Sequence, residues 1–220
     1  MATDTDARVI LAVAAQVDDD FIWKRLTDIQ IQMFAAGPVA IKLAYFGREV
    51  APPNRPFLAT RWATDSYDLA DLLDKARAHC ACGCYVEIGH LFAAALEETR
   101  QAPVQAVIVI GDVFYGDLDA TLARARELHA SGIRLFVFQQ DSSSHSTRGE
   151  EVFRTLAELT GGAYFKFNPA VERVAQRLPS LLEAISYFAI GGSPALAALG
   201  SGAAESLLDQ IDTPLLKDRE

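Results

Sequence analysis

The stretch VQAVIVIGDVFYGDLDATLARARELHASGIRLFVF, residues 104–138, decides the fold. Val104 to Ile110 is an almost unbroken apolar run rich in β-branched side chains, the pattern of a strand buried on both faces. The run stops at Gly111-Asp112. Asp117 can then cap a helix whose Leu118, Leu122, Ala125 and Leu128 recur at helical spacing, and Gly132 closes it just before a second apolar run, Ile133 to Phe138. Strand, helix and strand in this order make a βαβ unit. Such crossovers are right-handed and set their loops at the carboxyl ends of the strands, so the pattern places Asp112 on the rim where α/β sheets bind ligands.

Working outward, Arg8 to Ala14 reads as a first buried strand, followed by Asp18-Asp19-Asp20 and a helix with Ile22, Leu26, Ile29 and Met33 on one face. Val39 to Phe46 is a second strand. A rigid Pro-rich loop, residues 52–56, precedes Phe57 to Ala63, a short edge strand. Thr64 or Asp65 can cap a helix through Leu69, Leu72, Leu73 and Ala76, and Ile88, Leu91, Phe92, Ala95 and Leu96 make a stronger helical stripe. After Phe138 comes a polar loop to Thr147, then a helix marked by Val152, Leu156 and Leu159 that stops at Gly161-Gly162, then a last strand, Ala163 to Phe167. Asn168-Pro169 can start a helix, with Pro179 restarting it as a segment that ends near Ala189. The alternation predicts a doubly wound, three-layer α/β/α sandwich: a mostly parallel six-stranded sheet with one antiparallel edge strand at Phe57–Ala63.

At Gly191 the composition shifts to Gly, Ala, Ser and Pro. We therefore expect one domain over residues 1–190 and, over 191–220, a tether with a short terminal helix. Leu207, Leu208, Ile211, Leu215 and Leu216 could form an apolar ridge on that helix. It either docks a partner or folds back on its own domain, because a helix so short needs a surface to pack on.

The chain has 220 residues, 50% hydrophobic and 22% charged, enough to bury a full core. Its net charge of −9 argues against a nucleic-acid groove or an anionic membrane as partner, since both require a basic patch. Val9 to Ala15 is too short to span a bilayer, and the amino terminus has no basic n-region. The three cysteines, Cys80, Cys82 and Cys84, are too closely bunched for a disulfide framework. The expectation is a cytoplasmic protein.

The order and spacing of several segments resemble the von Willebrand factor type A domain, in a bacterial branch. They are Arg8-Val-Ile-Leu-Ala-Val-Ala14 before a long helix, Val39 to Gly47 with its Tyr-Phe-Gly, Ile88-Gly89 opening Leu91 to Leu96, Ile108-Val-Ile-Gly-Asp112, and Ala157 to Phe165 with Leu-Thr-Gly-Gly-Ala-Tyr-Phe. The resemblance covers about residues 8–167. It implies a magnesium or manganese site on the upper rim, built from Asp-x-Ser-x-Ser after the first strand, a Thr before a later helix and an Asp after the central strand. Hard cations want oxygen ligands. Here the first motif reads Ala14-Ala15-Gln16-Val17-Asp18, the threonine position falls near Val86, and only Asp112 matches outright.

Two readings of the rim follow. In one, the metal site is degraded, no cofactor is expected, and the rim around Gln16, Asp18 and Asp112, with Leu207, Leu208 and Ile211, contacts another protein without catalysis. In the other, Asp112 and Asp18 hold a weak magnesium or manganese ion with help from Asp19 or Glu87. An enzyme on the same scaffold is the third class. His79 and the three cysteines lack the distant second pair of a structural zinc site. Asp141-Ser-Ser-Ser-His145 has the residue types of a hydrolase triad, but these must converge from separate elements. No Gly-x-Ser-x-Gly elbow, phosphate loop or dinucleotide fingerprint is present. His90 and His129 lie within helical patterns as surface or core filler.

Overall fold

The computed structural model describes residues 6–13, 29–45, 58–79, 86–140, 147–167 and 177–211. Its strands are β1 (Ala7–Val13), β2 (Val39–Tyr45), β3 (Leu58–Ala63), β4 (Val86–Glu87), β5 (Ala106–Gly111), β6 (Phe114–Tyr115), β7 (Arg134–Gln140) and β8 (Ala163–Phe167). The helices are α1 (described over 29–35), α2 (Ser66–His79), α3 (Ile88–Gln101), α4 (Leu118–Ala130), α5 (Thr147–Thr160), α6 (Arg177–Leu199) and α7 (Gly202–Ile211). Six strands form one sheet in the order β3-β2-β1-β5-β7-β8, with only the β2–β3 pair antiparallel.

Alternation along the strands sends side chains to two cores. Val9, Leu11, Ile41, Leu43, Ile108, Ile110, Phe136 and Phe138 face α1, α2, α6 and α7, which supply Met33, Leu69, Leu73, Leu182 and Ile185. Ile10, Ala12, Val107, Val109, Leu135 and Val137 face α3, α4 and α5, which supply Leu91, Phe92, Ala125, Leu128, Phe153 and Leu156. The result is the three-layer α/β/α sandwich expected.

Local chemistry explains the boundaries. Asp65 Oδ1 accepts from Asp68 N at 2.8 Å and Asp117 Oδ1 from Ala120 N at 3.0 Å, capping α2 and α4. Gly132 ends α4 at φ +76°, with Ile133 N donating to Leu128 O at 2.9 Å. At the turn into β8, a Cβ on Gly162 would stand 1.8 Å from the Leu135 carbonyl oxygen, so only glycine lets the chain pass β7 this closely.

On the α3 side of β3, the Trp62 indole lies against Arg8 and Lys42, their cationic groups 5.2 and 5.1 Å from its centroid. Its Nε1 donates to Glu98 Oε2 at 3.1 Å, and Lys42 Nζ pairs with Glu98 at 2.5 Å. These long side chains roof the outer third of the sheet.

The carboxyl-terminal segment differs from the expected tether. Helix α6 runs without interruption from Arg177 past Pro179, kinks at Gly192 (φ 65°, ψ −161°) and continues to Leu199. Leu196, Ala203, Ala204 and Leu207 are part of the first core. A sequence dense in Gly and Ala reads as a linker, but small residues also let helices approach closely, and that is their use here. By length and composition α6 could cross a membrane, yet its apolar face is buried against the sheet from Leu178 to Ala189.

Candidate functional site

Strand order places the site. The chain leaves β1 toward β2 and β3, and leaves β5 in the opposite direction toward β7 and β8, so the topological switch point lies between the carboxyl ends of β1 and β5. Val13 is paired with Ile110 there, and Asp112 follows two residues beyond Ile110. This is the rim position the sequence assigned to it.

The loop that follows Asp112 is held from two directions. Strand β6 pairs with β4 in a two-residue parallel ladder, Val86 with Phe114 and Glu87 with Tyr115, which ties the loop to the entry of α3. Phe114 packs edge-on against Phe153 of α5, ring centroids 6.2 Å apart. From β7, Gln139 Nε2 donates to the Asp112 carbonyl at 3.0 Å, and the other end of the amide, Oε1, accepts from the Tyr164 hydroxyl of β8 at 2.6 Å. Gly116, at φ +117°, then turns the chain into the Asp117 cap of α4.

The entry to α3 is close-packed too. A Cβ on Gly89 would stand 3.1 Å from Thr121 Oγ1, and Arg124 Nη1 donates to the Gly89 carbonyl at 2.8 Å, joining α4 to the first turn of α3. Glu87 Oε2 lies 3.0 Å from His90 Nε2 and both side chains are about half exposed. Beside the rim, Glu150 of α5 accepts from Lys166 and from Arg154, each at 3.1 Å, and these bonds hold its carboxyl below the usual glutamate range. The Arg154 guanidinium also lies 4.6 Å from the Tyr164 ring centroid.

Of the residues the sequence proposed, Asp112 stands on the rim and Glu87 and Val86 reach it through the β4–β6 ladder. Gln16, Asp18 and Asp19 lie outside the described residues, as do Cys80, Cys82, Cys84 and the Asp141–Ser146 loop. Among the described residues no group of three or more His, Cys, Asp or Glu side chains could hold a metal ion. Val86, near the position where the resemblance calls for a threonine, brings no hydroxyl to the rim.

Leu207 is fully buried, and Leu208 and Ile211 pack partly buried against the same core. Leu207 has no exposed surface to offer a partner, which favours the alternative in which the ridge folds back on its own domain; Leu215 and Leu216 lie outside the described residues. Sequence reasoning missed Gln139 and Tyr164. The signal was present, because period-two alternation from Leu135 and Val137 puts Gln139 on a core-facing position where a polar residue is out of place.

No protein-family model matches the sequence, and no curated protein matches it. Solved structures of similar fold do. The von Willebrand factor type A protein from Catenulispora acidiphila superposes with a TM-score of 0.56 at 14% identity, over 85% of this chain and 43% of that one. The SpRpn10 VWA domain gives 0.54 at 10% identity over 84% and 97% of the two chains, and manganese-loaded Plasmodium vivax TRAP protein gives 0.51 at 11% over 80% and 73%. This chain thus spans less than half the length of the Catenulispora acidiphila protein. The fold is that of a von Willebrand factor type A domain.

Proposed function

We propose that the protein is a non-enzymatic protein-binding module of the von Willebrand type A kind, presenting the rim around Asp112, with Gln16 and Asp18 beside it, and binding its partner without a tightly held cation. The observation that carries this reading is the clamped loop from Gly111 to Asp117. It is fixed by a β ladder, an aromatic contact and a side-chain amide before any partner arrives, and a preorganised surface loses little entropy on binding. Domains of this fold serve generally in protein–protein contact and metal-dependent adhesion. The net charge of −9 favours a protein partner over nucleic acid, and the cysteine usage favours the cytoplasm.

The test is affinity capture from native cytoplasm with wild-type protein and Asp112→Ala, each in EDTA and in millimolar magnesium. The same partner retained by wild type in both media, and lost in Asp112→Ala, supports the reading. The Asp112 carboxylate at the switch point favours one rival, a magnesium- or manganese-dependent binder. A cation at a hundred times its dissociation constant would add about 2.7 kcal/mol, moving the melting curve by several degrees in a domain of this size. We expect no such shift; a clear one that Asp112→Ala abolishes would establish the rival.

A further inference from the structure

Four polar side chains are buried among the described residues: Thr121, Gln139, Thr160 and Ser186. Three of them need no special explanation. Thr121 donates to Asp117 O and Ser186 to Leu182 O, within their own helix or cap, and the Thr160 hydroxyl, shared between Leu156 O and Ala157 O of α5, also accepts from Leu135 N of β7 at 3.0 Å. Gln139 is different because its amide joins three separate segments, the Asp112 loop, β7 and β8.

Burying an amide costs desolvation free energy that a methionine or leucine of similar volume would not incur, so stability alone does not call for glutamine at this position. Its use is directional. The Asp112 carbonyl can only accept, which fixes Nε2 toward it. Oε1 then faces β8, where the Tyr164 hydroxyl donates. Flipping the amide would set Oε1 against the Asp112 carbonyl, two acceptors face to face, and leave the Tyr164 hydroxyl to accept from Nε2 instead of donating. Gly149 of α5 closes the site from above, its Cα direction leaving 3.7 Å between a notional Cβ and Nε2.

We propose that Gln139, oriented by Tyr164, is the positioning residue of the rim: it holds the Asp112 peptide, and through it the direction of the Asp112 side chain. The proposal rests on reading that rim as the binding surface. Tyr164 is itself fixed along its length, since its N–H donates to Gln210 Oε1 at 2.8 Å and its ring is covered by Arg154.

The experiment is NMR on the full free chain, comparing wild type with Gln139→Glu, Gln139→Met and Tyr164→Phe. In Gln139→Glu the protonated carboxyl keeps both a donor and an acceptor, whereas the carboxylate can only accept and turns a negative oxygen toward the Asp112 carbonyl. We expect the Asp112 carbonyl-carbon resonance, and the exchange of the Val113 to Gly116 amides corrected for intrinsic pH dependence, to match wild type at low pH. Both should depart from it as the introduced carboxyl titrates, in a transition that the wild-type pH profile, which carries Asp112's own carboxyl, does not contain. Gln139→Met should speed exchange in this loop about tenfold with the β5 amides from Val107 to Val109 unchanged, and Tyr164→Phe should speed it about threefold.

A Gln139→Glu pH profile that matches wild type throughout, or acceleration spread equally through β5, would overturn the proposal. If Gln139→Met fails to fold, the titration of Gln139→Glu still decides. Because the readout needs no partner, it also separates the two ideas: partner capture that survives Asp112→Ala sinks the functional reading and leaves the positioning result standing.

Discussion

At one edge of the sheet, β3 alternates half-buried and exposed residues over most of its length and is defended by its own neighbours in sequence. A bulge interrupts its ladder between Lys42 and Ala44, and the Thr60 hydroxyl accepts the Leu43 N–H at 3.1 Å. Arg61 reaches Asp68 of α2, seven residues on. At the other edge, β8 is covered by a helix that arrives late, with Gln210 of α7 accepting from Tyr164 N, 46 residues away. An open strand edge invites pairing with other chains, and the two edges meet that hazard by local irregularity in one case and tertiary cover in the other. The first kind of protection survives loss of distant parts of the molecule; the second does not.

The strongest way to break the comparison is at the entry to β8. Gly162→Ala drives a Cβ into the Leu135 carbonyl, and we expect a loss of about 3 kcal/mol in denaturant unfolding. A loss below about 1 kcal/mol would mean that the turn yields and that β8 is less tightly specified than β3. Next, Leu207→Ala, at a fully buried site on α7, should cost about 2 kcal/mol and open the Gly200–Gly202 turn to protease. Leu58→Ala on half-buried β3 should cost less than about 1 kcal/mol, with no new cleavage site. Equal costs would erase the distinction between the edges.

Smaller effects sharpen it. Thr60→Val strands the Leu43 N–H inside the bulge and should cost about 1 kcal/mol, whereas Gln210→Ala should cost about half that, since water can replace a half-exposed amide. The reverse order would show that β8 depends on that one bond more than on apolar cover. The smallest effect is acidic. The Glu150 carboxyl is lowered by Lys166 and Arg154, so its contribution is present above the ordinary glutamate range and is lost as pH falls through the depressed folded value. Glu150→Gln should flatten the acid limb of a melting-temperature profile below about pH 4.5, the ordinary glutamate value, and leave the neutral region unchanged. An unaltered acid limb would assign that limb to other carboxylates.

The same division explains what the sequence could disclose. The β5–α4–β7 unit was legible to its caps because Asp117, Gly132 and the two apolar runs act on residues within a few positions of themselves. Asp112 was legible for the same reason, being the polar residue that ends a buried run. The β4–β6 ladder was not, since two residues carry no periodicity. The Gln139–Tyr164 bond joins residues 25 apart, so only the oddity of a core-facing glutamine hinted at it. Gly191 to Leu199 misled because composition alone does not distinguish a linker from a closely packed helix: a Cβ on Gly191 would meet the Ala195 Cβ at 2.7 Å.

Trp62 has a spectroscopic consequence. The chain has two tryptophans, and this one sits on the locally protected edge with its ring against two cations and its N–H on a carboxylate. Indole emission responds to nearby charge and hydration, so in a Trp23→Phe background Trp62 becomes an intrinsic lamp for the β3 edge alone. Followed in stopped-flow unfolding beside far-ultraviolet circular dichroism, it would time the opening of that edge against loss of the helices that cover β8, turning a difference in architecture into an order of events.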